Sequence, residues 1–179
     1  MAFKDWFRRA DRSPAAAWRA RWEAAAQTAD AAAAAELRAA LSSDPPPGGD
    51  LEIEEEMLEG LERLVELTAE LMAGGLPRIE TSHRVVGHDA CHFSAPASLP
   101  DDPSQASGRV LLTSTRAVFV GGAKLSAVPW HTVREVARVH RDLLLVRSAD
   151  DGLRFRFNTF GDALAAAALA KHLKTRPRL

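Results

Sequence analysis

The residues best suited to chemistry lie in one short stretch, His88-Asp89-Ala90-Cys91-His92, with His83 just upstream. Imidazole, carboxylate and thiolate are the ligands of zinc, and a thiolate beside an imidazole is also a nucleophile and its base. The spacing supports neither use. On a strand, Cys91 and His92 face opposite sides, and no second cluster completes a closed tetrahedral site. Nothing nearby supplies the positive field that lowers a thiol pKa. The expectation is a buried Cys91 packed as a small hydrophobe, exposed histidines, and no metal or cofactor. An enzyme using Cys91 and a histidine is the alternative to exclude. No glycine-rich phosphate loop, HExxH or GxSxG stretch occurs.

Charged residues offer two further candidates. Phe3, Trp6 and Phe7 follow helical spacing, with Arg8 and Arg9 beside them. Rings at the headgroup boundary and cations on anionic lipid are the marks of an interfacial helix, so these five residues are candidate membrane contacts. The competing expectation is that the rings pack on the protein's own helices. Arg154 and Arg156, two apart on a strand, share a face and are the candidate anion or partner surface. Exposed aromatics for base stacking are not interleaved with the sheet arginines, so no nucleic acid is expected.

Net charge is only -1, but it is segregated. The segment up to Trp22 sums to about +4 and the segment from Asp50 to Glu70 to about -8. The glutamates of 52–56 read as a solvated helix face at the end that the helix dipole favours. A single cysteine rules out an intrachain disulfide framework and suits a reducing compartment. No apolar run approaches the roughly 20 residues of a membrane-spanning helix, and Arg8, Arg9, Asp11 and Arg12 interrupt any signal-like segment. A cytoplasmic protein is expected, with peripheral contact to the inner face of the membrane if the N-terminal rings bind lipid.

The elements that would position these groups follow from periodicity. Ser13-Pro14 reads as a helix cap followed by proline at the first helical position. Trp18, Trp22, Ala25, Ala29, Ala33, Leu37 and Leu41 then continue one face, which predicts a helix over 14–41. The Pro/Gly stretch 42–49 is a linker. A second helix over 51–73 carries Met57, Leu58, Leu61, Leu64, Val65 and Leu71 on one stripe, and Gly74-Gly75 and Pro77 end it. The two are expected to pair as a hairpin making up a helical region, 1–76. After 78 the period changes to that of strands. An irregular first strand is expected within 79–93 and a long Pro/Ser/Asp loop over 95–107. Strands follow near 109–113, 116–121, 124–128, 133–140, 143–148 and 153–157, then an alanine-rich helix over 160–174.

This order resembles the pleckstrin-homology-like superfold, in its GRAM and bacterial PH-like branches, over residues 78–175. The similarity lies in Gly108-x-x-x-Leu112-Thr113-x-x-Arg116-x-x-Phe119, in Val128-Pro129-Trp130-x-x-Val133-x-x-Val136, in Asp142-Leu143-Leu144-Leu145, and in Leu153-Arg154-Phe155-Arg156-Phe157 before the closing helix. The resemblance implies a seven-stranded, partly open barrel over 78–179 capped by its C-terminal helix and leaves the N-terminal helices unexplained; with the helical hairpin read from periodicity, the expected fold is α+β. The resemblance also implies a module that binds lipid, peptide or protein. Lipid-binding members carry cations in the first interstrand loop, whereas 95–107 contains Asp101 and Asp102 and no Lys or Arg, which argues against an inositol-phosphate site. The expected function is therefore non-catalytic: binding of a protein or peptide in a groove beside the C-terminal helix, or scaffolding of the helices. Membrane recruitment by the N-terminus is the alternative.

Overall fold

A computed structural model describes residues 13–47, 50–81, 83–122 and 124–176. The chain divides into two compact units, between Glu66 and Leu67.

The first unit is helical. Helix α1, Pro14–Thr28, starts where Ser13 accepts a hydrogen bond from the Ala16 amide at 3.1 Å. The segment read as one helix over 14–41 is two, because Ala29 adopts a left-handed conformation and Asp30 caps a new helix, α2, Ala31–Ser43. The Asp30 carboxylate accepts from the amides of Ala32 and Ala33 at 2.9 and 3.0 Å. These bonds offset the roughly 1–2 kcal/mol that a left-handed residue costs. Helix α3, Leu51–Met72, crosses the division between the units. Trp22 Nε1 donates to the Met57 carbonyl at 2.6 Å and Arg19 Nε to Glu54 Oε1 at 2.7 Å. Both bonds join residues 35 apart, so α1 and α3 run parallel. Arg21–Glu36 and Arg38–Glu62 ion pairs join α2 to both. Trp18, Trp22, Leu37, Leu41, Leu58 and Leu61 are buried. So is Glu54, at 0% exposure, which departs from the solvated face expected of 52–56. Its Arg19 partner makes that burial tolerable.

The second unit is an antiparallel sheet with a helix: β1 Cys91–Ser98, β2 Ser107–Thr113, β3 Arg116–Gly121, β4 Lys124–Pro129, β5 Glu135–Val139, β6 Asp142–Ser148, β7 Asp151–Phe157 and α4 Phe160–Thr175. Strand order is β4-β3-β2-β1-β7-β6-β5, so β4 and β5 are the free edges. Strand count, openness and closing helix are those that the resemblance implies. The sheet curls strongly. Phe119 on β3 and Phe155 on β7 are three strand spacings apart along the ladder, about 14 Å if flat, yet their rings stack at 6.3 Å. Phe93 meets Phe157 edge-on at 5.9 Å, and Leu112, Leu145, Ala166, Ala170 and Leu173 fill the same core. Leu67, Leu71 and Leu76 pack against it too, so the C-terminal end of α3 belongs with this unit.

The first strand lies later than expected. Residues 95–98 belong to β1 and pair with β2 from Ala95↔Val110 to Ser98↔Ser107. Proline and small residues make the segment read as loop, but Ala95 and Ala97 fit the buried face, and β7 pairs with β1 only at Ala97 and Ser98. Around Pro96 one strand edge is therefore unpaired, a place where a residue without an N–H is tolerated. A Cβ on Gly108 would fall 2.2 Å from the Val120 carbonyl oxygen, so the β2–β3 contact requires glycine there.

Candidate functional site

The histidine and cysteine segment holds a strap to the outer face of the sheet. Leu111 and Val118 point away from the main core, yet both are buried, because Val86 from a 3-10 turn, Arg84–Val86, packs on them together with Cys91. Ile79 N donates to the Cys91 carbonyl at 2.8 Å, and Arg116 Nη2 to that of Val85 at 3.0 Å. His92 is 5% exposed, a correction to the exposed histidines expected here. Its Nδ1 lies 2.6 Å from the Pro77 carbonyl oxygen, which can only accept, so Nδ1 carries the proton. In the neutral ring Nε2 then accepts from the Ser114 hydroxyl at 2.8 Å. Asp89 Oδ2 takes the Thr115 amide at 3.1 Å and its hydroxyl at 2.6 Å. Burial alone would raise the Asp89 carboxyl, but bonds from Thr113 and Thr115 outweigh it and hold the pKa low.

These contacts leave little for a nucleophile. The Cys91 thiol is 2% exposed and donates to the Phe93 carbonyl at 3.3 Å, while His92 is engaged elsewhere. Burial pushes the thiol pKa up, opposite to what a reactive cysteine needs. A depression of about 550 Å³ beside the strap is lined by Arg78, Ile79, Thr81, Val86, Asp89 and Cys91, with no imidazole. Beside the Ser114 hydroxyl, the amides of Ser114 and Thr115 are committed to Ala90 and Asp89, so they are not placed to hold an oxyanion. Among the described residues no group of three or more His, Cys, Asp or Glu is arranged to hold a metal ion. Among them, too, no helix is long and apolar enough to cross a membrane.

Arg154 and Arg156 share a face of β7, and that face is already neutralised. Arg154 Nε donates to Asp142 Oδ2 at 2.7 Å, Arg156 Nε to Asp142 Oδ1 at 2.9 Å and Arg156 Nη2 to Oδ2 at 3.1 Å. Asp101, from the β1–β2 loop, stands 3.5 Å from Arg154. Burial would raise the Asp142 carboxyl, but hydrogen bonds from Arg156 and Arg154 and their charges hold it below the usual carboxylate range. Asp102 of the same loop pairs with Lys124. The loop that would carry cations for a phosphate instead supplies anions to the sheet.

The two free edges differ. On β4, Leu125 is 60% exposed, Lys124 opens the strand and Pro129 closes it, two residue types that discourage further pairing. On β5 neither guard is present, and α4 packs alongside. Lys174 Nζ, in the last turn of α4, donates to the Arg134 carbonyl at 2.5 Å and ties helix to strand. Val136 turns into the core and Val139 is 53% exposed, so β5 has one buried and one open side. Arg134 and Lys171 are exposed. A surface beside the terminal helix is what the sequence leads one to expect, and Arg134 is one of the sheet arginines; that Lys171 and Lys174 of the helix stand on its side follows only from the fold.

Phe3, Trp6, Phe7, Arg8 and Arg9 lie outside the described residues.

No family model matches the chain, and no curated protein matches it. Among solved structures it is similar to the C-terminal domain of an unknown protein from Leishmania infantum, at 11% identity over 65% of this chain and 97% of that one, with a TM-score of 0.42. It is also similar to the linker-DH/PH domains of p115-RhoGEF, at 10% identity over 72% of this chain, with a TM-score of 0.43. The chain spans 44% of that second structure's length.

Proposed function

We propose that the protein is a non-catalytic, PH-like interaction module that takes a protein or peptide segment in the groove between β5 and α4. The observation that carries this reading is the pairing of a filled interior with an accessible strand edge. Phe119, Phe155, Leu112 and Leu145 occupy the space that a ligand would need inside the curl, while β5 has a neighbouring strand on one side only. Main-chain groups along such an edge can pair with an extended peptide, and the helix beside it offers a wall for side chains. The finer GRAM-like assignment belongs to the same proposal. Its support is that Thr113, Arg116 and Trp130 act together, since Thr113 Oγ1 closes the β2–β3 turn on the Arg116 carbonyl at 2.9 Å and Trp130 Nε1 donates to the Thr113 carbonyl at 2.8 Å.

The test is selection of displayed random peptides on the full chain, followed by amide exchange with and without a selected peptide. Protection concentrated in residues 134–140 and along α4 is the expected result. Protection confined to the strap or to α1–α3, or no selected peptide at all, would sink the proposal.

A further inference from the structure

The groove beside β5 is cationic, and its charge is not cancelled from within. Arg134 and Lys171 are both exposed and have no ion-pair partner among the described residues. Lys171 and Lys174 are three apart on α4 and so share a side of the helix, and Lys174 places that side against Arg134. Glu135, the acidic residue of β5, alternates to the other face of the strand from Arg134. The negative end of the α4 dipole lies in this turn, but it amounts to about half a charge spread over carbonyls, too little to balance three cations.

We infer that the groove takes an acidic, extended segment of a partner protein, added to β5 as a further strand with its carboxylates toward Arg134, Lys171 and Lys174. This rests on the interaction-module reading and narrows it to one class of partner. The strand edge supplies main-chain hydrogen bonds that fix register without regard to side chains, and the cations then choose which extended segment is held. Nucleic acid, the other polyanion, fits less well. It cannot pair with a strand edge as a peptide does, and the aromatic ring at the start of α4, Phe160, is capped by the Arg141 guanidinium at 4.5 Å.

The test uses the full chain and fluorescein-labelled, end-blocked octapeptides read by anisotropy. The probes are alternating Glu-Val, Lys-Val and Ser-Val, and a Glu-Val peptide N-methylated at every second residue, with oligothymidine as a competitor. The Glu-Val peptide is expected to bind at least about tenfold more tightly than Lys-Val, and to lose several-fold in affinity as salt rises to about 0.3 M. N-methylation should abolish binding, because it removes the donors that a strand edge requires. An R134E/K171E protein, checked by circular dichroism for an unchanged fold, should lose about tenfold for Glu-Val and little for Ser-Val. Equal binding of Lys-Val, an unchanged affinity of R134E/K171E, full binding of the N-methylated peptide, or tighter binding of oligothymidine each overturns the inference. If Ser-Val binds and Glu-Val gains nothing, the acidic preference falls and the interaction module stands. If no peptide binds, both fall.

Discussion

Arg154 and Arg156 on β7 and Arg134 and Lys171 beside β5 are equal in charge and opposite in circumstance. The first pair converges on Asp142, a carboxylate 5% exposed, and leans on Asp101. The second pair faces water with no counterion among the described residues. The difference shows that the fold commits one pair of cations to internal ion pairs and leaves the other pair to solvent, where a partner's charge would find it unopposed. Where the fold supplies the counterions, the same residues serve as structure. On the sheet, the arginines singled out by their alternate spacing are the structural ones.

This contrast predicts how differently the two places respond to change. Replacing Arg154 and Arg156 together by methionine leaves the Asp142 carboxylate buried and uncompensated. A clear loss of stability in urea denaturation is expected, the largest of the changes considered, because a carboxylate left buried without its partners costs more than the exposed arginines themselves contribute. Asp142→Asn is gentler, about 1 kcal/mol, since the arginines left behind reach water and the amide oxygen still accepts a hydrogen bond. If the two variants proved equally mild, the β7 cluster would be surface decoration and the contrast would vanish.

Acid titration sharpens the point. The folded Asp142 carboxyl has a pKa below its unfolded value of about 3.9, so its contribution is fully present above that value and is lost as pH falls through the folded pKa. In denaturation curves from pH 6 down to pH 2, Asp142→Asn should lose less stability than the parent protein over the acid end of that range. Parallel curves would show that this carboxylate is not linked to folding. The smallest effect belongs to the β5 side. An R134Q/K171Q protein should lie within about 0.5 kcal/mol of the parent in urea, while its affinity for an acidic peptide drops. A large loss of stability there would make the groove another structural cluster.

Much of the sheet was legible because apolar alternation and turn residues bound the strands from β2 to β7. Strand β1 was not, since Ala95, Pro96 and Ala97 carry a loop's composition and are accommodated only because β2 lies on one side and β7 is absent from most of the other. The break between α1 and α2 was hidden for a related reason. Alanine continues a helix as well as it flanks one, so only Asp30 marked the new cap. His92 looked exposed because what buries it, the Pro77 carbonyl and Ser114, lies in segments that no local pattern connects. The motif residues Thr113, Arg116 and Trp130 hold the β2–β3 turn and the strap, so the pattern that was easiest to read reports fold and is silent about ligand.

The pairing of Ala97 with Phe157 also has a consequence for how the chain is made. Synthesis proceeds from the N-terminus, so β1 to β4 leave the ribosome well before the strand that closes on them. Until β7 and α4 follow, Phe93 and Phe119 lack the rings they pack against, and the half-made sheet is the species a chaperone would meet. The helix that covers this interior follows every strand in the sequence, so a ribosome stalled shortly before Phe160 should release a chain with its apolar interior uncovered.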